Sequence, residues 1–305
     1  MIKKFTAVFF MLFLLSACSN DSPSPTTEVT EVVPETPTTP TTPTTPTTPT
    51  PNPLLVLPKS YSIDMSYVGL SGVNRGAGYE IDGDKLIQCG DGAGFTQKYT
   101  YSGNLIYKIE VYANTTLSYY YDITYDNNKI KTLVCTVDQF LGNSFKNSTT
   151  YTHNSDGTVD YEIKLLSGKY DGSSKDGKGK LTLLNGNIVK DDFFPTIENA
   201  TFYKKKTMEY SYDSKNNWCK NIKGLNLLYN LQFLPTYGNQ CAQNNITKIT
   251  QLEEIYNNGG SINSPSRVVS TTEYKYEYYP NDYPKTITDL SADPKKEPGA
   301  TTFTY

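Results

Sequence analysis

The residues that could carry catalysis begin with a single histidine. His153 stands beside the turn-forming run from Asn154 to Gly157, and no nucleophile motif lies near it. A Ser-His-Asp site needs an imidazole to activate its hydroxyl, and the sequence has no Gly-x-Ser-x-Gly elbow of the kind many hydrolases use. The pattern therefore favours a surface hairpin histidine over a general base.

Two acidic doublets could supply the carboxylates of a glycosidase. They are Asp191-Asp192 and Glu253-Glu254, and glycosidases act through a pair of carboxyl groups that flank the scissile bond. Neighbouring residues of a strand point to opposite faces of the sheet, so neither doublet forms a site alone. A glycosidase is kept as an alternative, whereas the sequence favours a domain without catalytic residues and without a cofactor.

A metal site has little support in the sequence. Asp82-Gly83-Asp84 with Asp91 invites a calcium interpretation, but the third oxygen ligand of an EF-hand loop is missing after Asp84. For zinc, the chain has no Cys-x-x-Cys pair and only one histidine. Because Asp-Gly is typical of tight turns, we assign no metal ligand.

The strongest chemical signal is a cysteine near the N-terminus. Lys3 and Lys4 precede an apolar run, residues 5–15, that is too short to span a bilayer. The sequence Leu-Ser-Ala-Cys at 15–18 follows directly and resembles the lipobox of bacterial lipoprotein signal peptides. The resemblance implies that residues 1–17 are a signal peptide and that Cys18 carries acyl chains, which hold the mature chain at a membrane.

Residues 18–53 have the composition of a spacer. Prolines recur about every third residue from Pro34 to Pro53, mostly with Thr-Thr between them. Proline fixes φ and donates no backbone hydrogen bond, so this period favours extended polyproline II. At about 3.1 Å per residue the segment could reach roughly 100 Å. We predict a tether that carries a single domain, residues 54–305.

Tyrosine-rich alternation dominates that domain. The chain has 26 tyrosines against one tryptophan, and in the run from Tyr119 to Tyr125 one face takes Tyr119, Tyr121 and Ile123. The run from Glu273 to Tyr278 alternates aromatic with charged residues. A period of two predicts strands with one packed face and one wet face.

Turn signals separate these runs at intervals that repeat. Their first residues fall 24, 28, 31, 28, 44 and 23 positions apart, and a strand, a turn and a returning strand would fill such a unit. The pattern predicts an all-β, up-and-down antiparallel meander, either an open sheet or a barrel. The signals begin at Ser102, Asp126, Asn154, Asn185, Asp213, Asn257 and Pro280.

The longest interval holds an insertion. Trp218, Ile222, Leu225 and Tyr229 recur at helical spacing, which predicts one or two helical turns that close the sheet's edge or one end of a barrel. Cys219 and Cys241 bracket the insertion, and a disulfide between them would stabilise the fold by about 3 kcal/mol. Two further cysteines, Cys89 and Cys135, would then form a second bridge or remain buried thiols.

The hairpin units resemble the tyrosine–aspartate repeats of the Rhs type. The match is closest at 99–109 and at Tyr210 to Asp213. With its lipobox, spacer, the insertion at Asn217 to Gly224 and a closing Tyr-Pro-x-x-Ile, the chain is also similar to a family of uncharacterised Gram-negative lipoproteins described as having a porin-like fold. That resemblance covers Tyr61 to Tyr305 and implies a fold, but no catalytic residue.

The function expected from these patterns is binding or display rather than catalysis. Removing Lys3 and Lys4 takes the net charge from −3 to −5, which disfavours a nucleic-acid partner because such proteins carry a basic patch. We expect a monomeric domain, tethered at the outer membrane through Cys18 and facing either the periplasm or the cell exterior, that binds glycan or protein. A structural component of an envelope complex is the alternative, and outward faces interrupted by Thr, Glu and Lys disfavour a membrane-inserted barrel.

Overall fold

The fold is a closed barrel of antiparallel strands. A computed structural model describes residues 55–64, 74–90, 94–140, 143–169, 176–196, 202–229, 242–257, 261–290 and 300–305. Within these ranges each strand is hydrogen-bonded to the next in chain order, and the last strand returns to the first. The predicted all-β meander is confirmed, and of the two forms considered it is the barrel. The strands are β1 (Ser60–Asp64), β2 (Asn74–Asp82), β3 (Lys85–Gly90), β4 (Phe95–Ser102), β5 (Leu105–Ala113), β6 (Thr116–Asp126), β7 (Lys129–Phe140), β8 (Asn143–His153), β9 (Val159–Lys169), β10 (Gly177–Leu184), β11 (Asn187–Pro195), β12 (Phe202–Tyr212), β13 (Ile246–Asn257), β14 (Ile262–Tyr278), β15 (Pro284–Asp289) and β16 (Ala300–Thr304).

Side-chain alternation decides which face of each strand is buried. In β6, Tyr121 and Ile123 are buried, whereas Asp122 between them is exposed. The register carries the same face around the wall, because Tyr121 lies opposite Ile109 on one side and Cys135 on the other. The inner face of the barrel is therefore largely apolar and aromatic, as the period of two predicts.

Tyrosine rings make up much of the buried core. Burial raises the pKa of Tyr79 and of Tyr121 well above the ordinary value, so both hydroxyls stay protonated. The tyrosine-rich runs thus serve mainly to pack the inside of the wall. The buried tyrosines of this core are Tyr61, Tyr79, Tyr99, Tyr119, Tyr121, Tyr151 and Tyr161.

Tight turns return the chain at one end of the barrel after every second strand. Asn127 and Asn128 both have positive φ, at 50° and 60°, which is the backbone of a two-residue type I′ hairpin turn. The predicted repeat of two strands per turn signal is correct as far as Asp213. Beyond Asp213 the repeat changes. The turn signal at Asn257 lies at the opposite end of the barrel, and the interval from Asn257 to Pro280 holds one long strand, β14, instead of two.

The insertion between β12 and β13 is wound in consecutive turns with one 3-10 helix at Leu225–Leu227. Trp218, Ile222 and Leu225 are only 3%, 2% and 0% exposed, so the predicted apolar face is buried. A longer α-helix does not form, because Gly224 has a φ of +79° and such a left-handed residue interrupts helical winding.

This insertion closes one end of the barrel. The ring of Trp218 stacks on Tyr79 of β2 at 5.2 Å. Further along, the hydroxyl of Tyr151 in β8 donates to the carbonyl of Tyr229 at 3.4 Å. Because β2 and β8 lie on different parts of the wall, the segment spans the opening between them. We call residues 213–229 the plug and the end that they close the plugged end.

Hydrogen bonds of polar side chains hold the plug in place. Asp213 accepts hydrogen bonds from the backbone N–H of Asn245 at 3.1 Å, from its amide at 3.3 Å, and from the hydroxyl of Tyr278. In the adjacent hairpin, Asn187 accepts the backbone N–H of Gln243 at 2.9 Å. The two arms of the insertion are thereby fixed to β11, β14 and each other.

The chain joins the barrel at the plugged end. The N–H of Lys59 donates to the carbonyl of Thr304 at 2.8 Å, and the Asn221 amide of the plug donates to the carbonyl of Val56 at 2.9 Å. The opposite end, here the distal end, has a rim of uneven height. Strands β12, β13 and β14 have 11, 12 and 17 residues, whereas β15, β16 and β1 have 6, 5 and 5. We call β12–β14 the tall wall.

Candidate binding surface

His153, the sequence candidate for a general base, ends β8 at the plugged end. Its Nε2–H donates to the carbonyl of Ile130 at 2.9 Å, and its ring centroid lies 6.2 Å from that of Tyr229 in the plug. The imidazole therefore links two wall strands next to the plug. Neither contact is a hydrogen bond to a hydroxyl or thiol, which a general base would need in order to activate a nucleophile.

The acidic doublets are divided between the two faces of the sheet, as the sequence predicts. Asp191 is fully buried on the inner face, and Asp192, which follows it along β11, faces outward. In β13 the register places Glu253 on the inner face and Glu254 on the outer face. Sequence reasoning missed that the intervening strand β12 brings the two outward carboxylates together.

An ion cluster on the outer face joins these two carboxylates. The Nζ of Lys205 lies 3.2 Å from Asp192 and 3.4 Å from Glu254. Lys190 contacts Asp192 at 2.8 Å, and the Thr207 hydroxyl donates to the same carboxylate. The run of three lysines in β12 is visible in the sequence, but only the register, with Lys205 opposite Glu254, shows which lysine meets which carboxylate.

The ion cluster keeps Asp192 charged. Burial raises its pKa, but hydrogen bonds from Lys190 and Thr207 and the charge of Lys205 outweigh burial, so the pKa lies below its ordinary value. The acid of a glycosidase needs the reverse, a raised pKa that keeps it protonated near neutral pH. Two carboxylates that share one lysine instead form a nearly neutral, ordered patch on the wall.

Aromatic rings lie beside this cluster. Tyr203 and Tyr256 face each other across β12 and β13 with ring centroids 5.2 Å apart and planes 7° from parallel. The hydroxyl of Tyr256 donates to Glu254 at 2.7 Å, and the Nζ of Lys205 lies 5.5 Å from the ring centre of Phe194. The rings are thus held in fixed positions, half-buried, at the distal end of the tall wall.

Exposed apolar side chains continue this surface to β14. Ile262 lies opposite Tyr256, and Val268 lies opposite Leu252, so both share the outer face with the tyrosine pair. They are 62% and 59% exposed, comparable to Leu184 in β10 at 60%. We call Tyr203, Tyr256, Ile262 and Val268 the distal patch.

The inner face of the tall wall carries a row of basic residues at the level of the ion cluster. Lys206 lies opposite Phe193 of the core and opposite Glu253, which in turn lies opposite Arg267. Lys204, two residues from Lys206, contacts Glu253 at 2.9 Å. This stretch therefore holds three cations and one carboxylate, in contrast to the balanced cluster outside.

The long tyrosine runs lie apart from the distal patch. Tyr276 donates its hydroxyl to the carbonyl of Ile246 at 2.7 Å, and Tyr125 donates to that of Ile106 at 2.7 Å. Burial raises the pKa of both phenols. Cross-strand packing is therefore the role of these runs, and the exposed surface is built from other residues.

The cysteine predictions have different outcomes. Cys18 and Cys241 lie outside the described residues, as do the predicted signal peptide and spacer, so lipidation and the Cys219–Cys241 disulfide stay predictions. Cys219 is buried in the plug with its Sγ 3.0 Å from the side-chain oxygen of Asn217. Cys89 and Cys135 are buried thiols on β3 and β7, and burial raises the pKa of Cys135 to about 12.

The acidic turn considered for calcium is tied to the plug. The carbonyl of Asp84 accepts the N–H of Lys223 at 2.8 Å, and its carboxylate lies 3.7 Å from the same lysine's Nζ. Asp91 lies outside the described residues. Among the residues that the structure describes, no three His, Cys, Asp or Glu side chains converge as a metal site would require.

Comparisons with known proteins leave the fold as the main guide to function. A scan against protein-family models and a search of curated proteins found no match to this chain. None of the helical segments in the described ranges has the length and apolar character needed to span a membrane.

Proposed function

We propose that this chain is a lipid-anchored, non-catalytic binding module of the bacterial envelope whose distal patch docks a protein partner. The anchor is the acyl group predicted on Cys18. The location is the outer membrane, with the domain facing the cell exterior. The long spacer predicted at 18–53 gives such a module the reach that this location requires.

The observation that carries the proposal is an apolar surface that is exposed at the end of the barrel opposite Val56. The chain joins the barrel at the plugged end, through Val56, while Ile262 and Val268 lie exposed on the tall wall. Clustered apolar side chains that remain exposed mark interaction sites. We therefore assign the distal patch, rather than the plugged end, to the partner.

The outer face of the wall supports a barrel that stands in water. Ion pairs lie on this face, including Lys108–Glu110 at 3.0 Å and Lys248–Glu273 at 2.7 Å. Membrane-spanning strands instead alternate an apolar outward residue with an inward one over about ten residues. The acyl chain, rather than the wall, then provides the attachment to the membrane.

A glycan is the second candidate ligand, and the tyrosine pair favours it. Tyr203 and Tyr256 combine aromatic faces with the carboxylate of Glu254, a pairing suited to stacking and hydrogen bonding with sugars. Titration with soluble glycans and with candidate partner proteins separates the two ligands. Tyr256→Ala should weaken a glycan most, whereas Val268→Ser should weaken a protein most.

Protease treatment of intact cells tests the location. We expect the domain to be degraded while a periplasmic protein of the same cells survives, and we expect Cys18→Ser to abolish labelling by a fatty-acid analogue. If the domain survives in intact cells, the display proposal is wrong and a structural role inside the envelope becomes the better account.

A further inference from the structure

Strand β14 is longer than β15, so part of it extends beyond the end of that strand. On the β13 side it is paired between Ile262 and Glu273, with three shifts of register along the way. On the other side β15 pairs only with Tyr274–Tyr278, and the N–H of Leu290 reaches the carbonyl of Glu273. Toward β15, residues 262–272 pair with no strand that the structure describes.

Among the described residues, this is the longest stretch of strand that is paired on one side only; residues 164–169 of β9 form a shorter one. A strand edge presents a row of backbone N–H and C=O groups that can template another strand. The side chains along it are exposed, including Val268 at 59% and Val269 at 39%, and proline occurs once, at Pro265. β-branched residues on an exposed edge are the features that favour addition of a further strand.

The charge on this edge argues against a second copy of the chain as the occupant. Arg267 is the sole charged residue of residues 262–272 and stands at their midpoint. A two-fold antiparallel pairing along the whole edge would place Arg267 opposite Arg267, and like charges directly opposite are destabilising. The neighbouring Lys204 and Lys206 on the inner face strengthen the positive field.

We propose that residues 262–272 of β14 accept an extended, acidic segment of a partner protein as an added β-strand, with a carboxylate facing Arg267. The proposal rests on the proposed function, in that it takes the domain to be a binding module. Backbone hydrogen bonds along the edge supply affinity, and the pairing with Arg267 selects the partner by charge.

A pair of labelled peptides tests the charge preference. The probes are capped octapeptides in which valine alternates with glutamate or with lysine, titrated against the mature chain carrying Cys18→Ser. We expect saturable binding of the glutamate peptide and weaker binding of the lysine peptide. Arg267→Glu should reverse this order, with a change of about tenfold in each affinity, or ~1.4 kcal/mol.

A matched control lies on the same strand. Lys275 is exposed but belongs to the part of β14 that pairs with β15, opposite Thr288. Lys275→Glu makes the same change of net charge, so it should leave both affinities nearly unchanged. Equal effects of the two substitutions would mean that the peptides respond to overall charge, and the proposal would be overturned.

Hydrogen exchange locates the bound peptide. We expect amides of residues 262–272 to exchange more slowly with the glutamate peptide present, while those of Tyr274–Tyr278 are unchanged. Protection elsewhere, or no binding up to about 1 mM, overturns the proposal. So does a dimer in sedimentation that protects 262–272 without peptide, because it assigns the edge to a second copy.

Failure of this test and failure of the proposed function are distinguishable. If protease reaches the domain on intact cells but Arg267→Glu has no effect on the peptides, display stands and the edge is not the docking site. If the edge binds the peptide but intact cells protect the domain, the site stands and its partner is periplasmic.

Discussion

The two ends of the barrel use the same meander for different purposes. At the plugged end, Trp218 is 3% exposed and stacked between Tyr79 and Phe303, and short turns leave little backbone unpaired. At the distal end, Ile262 is 62% exposed and β14 runs beyond its neighbour. The comparison teaches that closely packed contacts and exposed apolar surface are placed at opposite ends of one continuous sheet.

The difference comes from strand length and from the insertion. Every strand of a closed barrel pairs with a neighbour on each side, but neighbouring strands need not have the same length. Strand β14 has 17 residues and β15 has 6, so part of the β14 edge is left without a neighbouring strand. At the other end of the barrel, the plug fills the opening. Changes at the plugged end should therefore affect stability, and changes at the distal end should affect binding.

The largest expected effect is the loss of the plug's tryptophan. Trp218→Ala removes a buried ring that packs between Tyr79 and Phe303, so the free energy of unfolding should fall by about 3–5 kcal/mol. Urea unfolding measures it. The control is Val268→Ala at the distal end, which should change stability by about 0.5 kcal/mol or less. Equal losses from the two variants would contradict the division between the ends.

A smaller effect is expected where the plug touches a hairpin turn. Gly224 has a φ of +79°, and a Cβ there would lie 3.0 Å from the carbonyl oxygen of Asn104 and 3.2 Å from Ile106. Gly224→Ala should therefore cost about 2–3 kcal/mol, through backbone strain and crowding together.

Gly103→Ala is the matched control for that substitution. Gly103 also has a positive φ, of +59°, but a Cβ there would meet nothing within 4 Å. It should cost only the backbone strain, about 1–2 kcal/mol. If the two glycines prove equally sensitive, close packing of the plug against the β4–β5 turn is not what Gly224 provides.

The smallest effect concerns the ion cluster of the wall, and it depends on pH. The folded-state pKa of Asp192 lies below its ordinary value of 3.8, so its contribution to stability is present above about pH 4 and is lost as the pH falls through the folded pKa. Asp192→Asn should cost about 1 kcal/mol at pH 7, and the difference from wild type should shrink as the pH falls below 4. A cost that stays constant over this range would show that ionisation is not involved.

Local pattern was enough to predict the strands and much of their orientation. Alternation around Tyr121 predicts an inward tyrosine and an outward Asp122, because burial follows a period of two wherever one face is packed. The spacing of Trp218, Ile222 and Leu225 predicts their common burial. The helix itself is shorter than that spacing suggests, because Gly224 adopts a left-handed conformation.

Closure and the surface sites could not be predicted in the same way. The barrel closes through pairs such as Tyr61 with Phe303, and no local signal links residues so distant in sequence. The ion cluster depends on register, which decides that Lys205 meets both Asp192 and Glu254. The exposed edge of β14 depends on where β15 ends, and turn signals locate the end of a strand only to within a few residues.

The seam between β1 and β16 also sets the order in which the protein can fold. All the remaining pairs join strands that are consecutive in the chain, and such hairpins form within about 1–10 μs. β1 must keep one edge unpaired until β16 is available, since Ser60 pairs with Thr304 and Ile63 with Thr301. A chain whose strands pair in order from the N-terminus is therefore an open sheet at first, and it becomes a barrel only when residues 300–304 pair with β1.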